Sequence, residues 1–196
     1  ENRIWTDYEK IPKDLIFACV SIEDKRFFEH SGVDWLRTIK ACGSMFIGRS
    51  SFGGSTVTQQ LVKNLTGDDD VTVRRKLTEI YRALKLEEDY SKADIMEMYL
   101  NTIYLGEGCY GVESAALKYF GKDVWDLSTA ECASLIGITN NPSAYDPYIY
   151  PENNRKRQET ILNQMYKQGY ILTEEDYQAA LNEEMDFHSA SNSAYD

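Results

Sequence analysis

The chain has 196 residues, 42% hydrophobic and 27% charged, the make-up of an ordinary globular protein long enough to bury one substantial core. Its formal net charge of −11 argues against non-specific nucleic-acid binding, which needs a basic surface to neutralise phosphate. No apolar run reaches the roughly 18 residues that a bilayer-spanning helix needs, and no secretory signal is visible.

The first predicted helix opens at Pro12, where proline costs nothing, and Leu15, Ile16, Cys19, Val20 and Phe27 recur along one face. Glu23 falls on that apolar stripe, where a carboxylate is costly unless it is paired, hydrated or used. A helix-end salt bridge is the plain alternative to a functional role. Asp24 follows at once and Gly32 supplies the stop. Asp34 can cap a helix from Trp35, with Leu36 and Ile39 facing one way. The pattern then loosens into the small apolar stretch from Ala41 to Gly48, followed by a loop from Arg49 to Gly54.

Thr56-x-x-Gln59 fits a capping box, and Val57, Leu61 and Leu65 can face the core of the helix it opens. Gln59, Gln60 and Lys63 would share the other face. That polar surface is either simply solvated or suited to a sugar diphosphate, which requires fixed hydrogen bonds and a positive charge. Gly67-Asp68-Asp69-Asp70 is an acidic turn without the spacing of a calcium loop. From Val73 a long helix turns Leu77, Ile80, Leu84 and Tyr81 inward, with Arg75 and Glu79 one turn apart.

Ser91-x-x-Asp94 and Ser128-x-x-Glu131 are further capping boxes. The first opens a scaffold helix that ends near Asn101; the second opens a buried helix through Ala133, Leu135 and Ile136, ended by Asn140-Asn141-Pro142. Between them lie a glycine loop, Gly106 to Gly111, and a short helix stopped at Gly121. Pro142, Pro147 and Pro151 mark a tyrosine-rich loop, and Asn154 can cap the helix that carries Ile161, Leu162 and Met165 to Gly169. Thr173-x-x-Asp176 starts a last helix, and residues 189–196 read as a frayed tail. The four cysteines lack metal-ligand spacing and read as structural, with Cys19 and Cys132 in apolar helical patterns that suit buried thiols. With no repeat and no convincing strands, the chain reads as a single, mainly α domain over residues 1–196.

Four segments in register carry a resemblance. Glu23-Asp24-x-x-Phe27-x-x-His30-x-Gly32, the run from Gly53 to Asn64, Arg75-Lys76-x-x-Glu79, and Ser91 to Asn101 resemble, in order and spacing, the four motifs of the peptidoglycan glycosyltransferases, glycosyltransferase family 51. The resemblance covers nearly the whole chain. It implies a lysozyme-like helical domain with a smaller, mobile jaw lobe, about residues 35–70, that dips into the outer face of the cytoplasmic membrane; Met45, Phe46 and Ile47 suit such a surface. It also implies a membrane helix as N-terminal tether, and an acidic ending like the junction to the transpeptidase domain of class A penicillin-binding proteins. Two departures stand out: Val71 and Thr72 where relatives often carry a basic phosphate contact, with Arg74 as the nearest substitute, and Thr139 where Pro is usual, expected to alter only loop stiffness.

The chemistry implied is polymerisation of lipid II, with the growing glycan chain as donor, inversion to a β-1,4 link and departure of undecaprenyl diphosphate. Two carboxylates on separate helices are the usual apparatus at an anomeric carbon. Glu23 is expected to act as base on the acceptor hydroxyl, and Glu79 to place the donor diphosphate, directly or through a divalent cation, Mg or Mn; no tightly bound cofactor is implied. Lys63, Gln59, Gln60, Thr58, Ser55, Arg75 and Asn101 are the expected substrate contacts, with Asp24 and His30 as supports behind Glu23. A lysozyme-like hydrolase that cleaves peptidoglycan is the alternative, since a carboxylate pair in a helical fold serves cleavage as well.

Overall fold

The computed structural model describes residues 2–39, 54–67 and 72–188. The chain is mainly α, as the sequence predicts. Its helices are α1 (Lys13–Glu23), α2 (Val57–Thr66), α3 (Val73–Asp89), α4 (Lys92–Thr102), α5 (Val112–Phe120), α6 (Thr129–Ile138), α7 (Pro142–Tyr145), α8 (Pro151–Lys167) and α9 (Glu174–Asn182). Residues 35–39 are also helical, and the Asp34 cap forms, its Oδ1 accepting from the Arg37 amide at 2.9 Å. Two-residue strands at Asn2–Arg3 and Cys109–Tyr110 pair in parallel. Much of the expected jaw (residues 40–53 and 68–71, with Met45, Phe46 and Ile47) and the tail 189–196 lie outside the described residues.

The core gathers around α6, which is buried from Ala130 to Ile138 and packs on α1 and α8. A helix this apolar, its polar Glu131 and Ser134 both hydrogen-bonded, belongs at the centre. α2 packs against both α3 and α4. All three predicted capping boxes form, at Thr56/Gln59, Ser91/Asp94 and Ser128/Glu131.

Four expectations are corrected. α1 ends at Glu23 rather than running on to Gly32, because Asp24 leaves the helical region (φ −154°, ψ 78°) to spend its side chain elsewhere; Phe27 is buried from a turn instead. On α2, Gln59 is buried, since closing the capping box turns it inward, whereas Leu65 is exposed. On α3 the buried residues are Glu79 and Ala83, and Leu77 and Tyr81 point to solvent. Asn154 does not cap α8; Pro151 starts that helix and Asn154 is buried within it, its Oδ1 accepting from Ser134 Oγ at 2.6 Å.

Candidate active site

Glu23 is the last residue of α1, and its side chain is 15% exposed. Its surroundings are more polar than the apolar stripe suggests. Gln60 on α2 donates from Nε2 to Glu23 Oε2 at 3.1 Å. The Gln60 amide is oriented in turn by Tyr99, whose hydroxyl donates to Gln60 Oε1 at 3.0 Å. Burial, with Cys19, Glu23 and Asp24 nearby, pushes the Tyr99 phenol well up, so it stays a donor. On the other oxygen, Thr139 Oγ sits 3.3 Å from Glu23 Oε1 and Arg157 comes within 3.9 Å. Thr139 also faces the Ile136 carbonyl at 2.9 Å, so its single hydroxyl proton has two acceptors. Arg37 holds the Glu23 backbone carbonyl at 2.6 Å.

Asp24 points the opposite way and is fully buried. Its Oδ2 accepts from the Val57 amide at 3.0 Å, at the first turn of α2, and from His30 Nε2 at 2.8 Å. His30 Nδ1 accepts from the Gly32 amide at 3.1 Å, which assigns the ring proton to Nε2. The pair therefore ties the end of α1 to the start of α2, on which Gln60 and Lys63 stand.

Glu79 is 6% exposed and held by two cations: Arg75 at 2.6 Å and Lys76, which also donates to Ser55 Oγ at 2.9 Å. A small cavity of about 10 Å³ lies here, lined by Val62, Lys63, Thr66, Arg75, Thr78, Glu79 and Arg82. Lys63 and Arg82 are exposed, and Arg75 Nε is buried without a partner. Four cations thus gather around one carboxylate in a chain of strongly negative net charge. Glu23 bonds Gln60, and Glu79 shares its cavity with Lys63, one turn further along α2.

Three of the expected contacts make internal bonds. Thr58 is fully buried and donates to Glu87 Oε1 at 2.7 Å, which joins α2 to α3. Gln59 closes its capping box. Asn101, fully buried, brackets Thr6, accepting from its amide and donating to its carbonyl, both at 2.8 Å. In each case the side chain satisfies buried backbone or a neighbouring helix, while Gln59 Nε2 is buried without a partner. Sequence reasoning missed Lys76, whose position three residues before Glu79 was the available signal, and Thr139 and Arg157, which reach Glu23 only through the packing of α1, α6 and α8.

The sequence model of the Transglycosylase family matches residues 1–166. Penicillin-binding protein 1A of Aquifex aeolicus is 43% identical over 183 residues, 93% of this chain and 25% of that protein. Penicillin-binding protein 1F of Bacillus subtilis is 44% identical over 176 residues, 89% of this chain and 25% of that protein. The chain therefore spans about a quarter of the length of these curated relatives. The crystal structure of penicillin-binding protein 1A from Haemophilus influenzae shares the fold over 96% of this chain and 18% of its own, with a TM-score of 0.58 at 22% identity. The match over most of the chain, together with relatives this similar, shows that the chain belongs to the transglycosylase family.

Proposed function

We propose that the chain polymerises lipid II into β-1,4-linked glycan strands. Glu23 takes the proton of the acceptor's 4-hydroxyl as that oxygen attacks the anomeric carbon of the growing chain. The bond from that carbon to the diphosphate breaks on the opposite face, so configuration inverts and undecaprenyl diphosphate departs. Lys63, Arg75, Lys76 and Arg82 meet the leaving charge, and Arg75 Nε, otherwise an unpaired buried donor, finds a phosphate oxygen. Glu79 acts by holding Arg75 and Lys76 in place. A divalent cation fits this spot poorly, because both Glu79 oxygens already face cations. The chain works on the outer face of the cytoplasmic membrane, tethered by a preceding membrane helix and, in its parent protein, followed by a transpeptidase domain.

The observation that carries this reading is the half-buried Glu23, aimed by Gln60, one turn along α2 from the cationic cluster. A hydrolase has no use for that cluster, which sets the lysozyme-like alternative behind. Glu23→Gln keeps an acceptor for Gln60 and should leave the melting temperature nearly unchanged. Polymerisation of lipid II should fall by at least about 10²-fold, the worth of a positioned base. Near-normal strand synthesis by that variant, or cleavage of purified glycan strands by the native chain, would overturn the proposal.

A further inference from the structure

We infer that Arg157, threaded through a slot made by Gly137, is a positioning residue that fixes the Glu23 carboxylate for the acceptor. The inference rests on Glu23 being the base. Gly137 lies inside α6, where glycine is a poor helix former, and it is buried. A Cβ built there would meet Arg157 Cγ at 3.1 Å and Arg157 Cβ at 3.6 Å. The missing side chain is the room through which the α8 arginine passes towards the end of α1. Tyr145 flanks the guanidinium, its ring centroid 5.9 Å away.

The burial is that of a side chain with a task. Arg157 is 20% exposed and its Nε has no partner. Keeping a cation there without full hydrogen bonding is costly, and the offset on view is the approach of its terminal nitrogen to Glu23 Oε1. Gln60 tethers Oε2 from α2, so the carboxylate is held from two sides by elements far apart in sequence. A carboxylate offers about four lone-pair positions, and these contacts leave part of that capacity to accept a proton from substrate. The other groups near Glu23 do not compete: Cys19 and Tyr99 are kept neutral by burial, and Asp24 is turned away to Val57 and His30.

Steady-state kinetics on lipid II tests this. Arg157→Gln should lower kcat by about 10- to 100-fold with KM for lipid II nearly unchanged, the scale on which a small misplacement of a reacting group is felt. Arg157→Lys keeps the charge, drops the unpartnered Nε, and should recover most of the loss. Gly137→Ala, which touches neither Glu23 nor substrate, should push the arginine aside and lower kcat in the same direction by a smaller factor. Wild-type kcat in Arg157→Gln, or a loss that Arg157→Lys does not relieve, would overturn the inference. If Glu23→Gln is inactive while Arg157→Gln is normal, only this inference fails; if Glu23→Gln is active, the reading beneath it fails.

Discussion

Asp24 and Glu23 are adjacent carboxylates with unlike work, because α1 ends between them. The helix carries Glu23 to the face shared with Gln60, and the break at Asp24 swings the next side chain into the interior. There it accepts from Val57 and His30 while its Oδ1 has no partner. Removing it would strand a backbone N–H and a ring N–H in a dry site, each costing about 1–3 kcal/mol. Asp24→Ala should therefore destabilise the fold by about 3 kcal/mol in urea unfolding, with lost activity following lost structure. A stable Asp24→Ala protein with abolished turnover would instead make Asp24 a participant in the chemistry. By resemblance the motif spacing marked Glu23, Lys63, Arg75 and Glu79. It could not separate Thr58, Gln59 and Asn101 from them, since a polar side chain that bonds inward reads the same in sequence as one that bonds a ligand.

The helix starts were legible because a capping box is a local device, complete within four residues. The buried face of α3 was not. Its periodicity places Leu77 and Tyr81 inside, yet they are 62% and 62% exposed, while Glu79 and Ala83 are buried. Two features overrule the pattern. Glu79 pairs with both Arg75 and Lys76, so a charged face can pack towards α2. Ala83 lies where the chain turns closely: a Cβ on Gly32, whose φ is +93°, would come within 2.7 Å of the Ala83 carbonyl oxygen. The packing thus selects small residues, and large apolar ones are left outside. Leu77→Gln should change stability by no more than about 0.5 kcal/mol. Ala83→Leu should cost about 1–3 kcal/mol by overpacking. Chemical denaturation of the two variants checks both, and the reverse order would restore the face that periodicity predicts.

At the scale of the molecule, a net charge of −11 is carried with carboxylates both inside and out. Glu113 is 3% exposed; burial, reinforced by Asp123 at hydrogen-bonding range and by Asp126, raises its pKa. Asp146 is 4% exposed and is raised by burial and by Glu107, against the pull of the Tyr148 amide. Asp34 goes the other way: burial alone would raise it, but the Arg26 guanidinium and the Arg37 amide hold it below the usual range. The signs give opposite windows. For Glu113 and Asp146 the folded state holds its proton to higher pH than the unfolded chain, whose carboxyls titrate near pH 4. Their contribution is complete below that value and is lost as pH rises through the folded values. The Asp34 contribution is complete above the unfolded value and is lost as pH falls through its depressed one. Above the unfolded value only the first pair acts, so the melting temperature should rise as pH falls from neutral towards about 4. Glu113→Gln carries no titrating proton and still offers an acceptor to the Val124 amide, which Glu113 holds at 2.7 Å. That variant should melt higher than the native chain at pH 7 and gain less on going to pH 5. An unchanged slope between the two pH values would show that the inward carboxyls are not what couples folding to protons here.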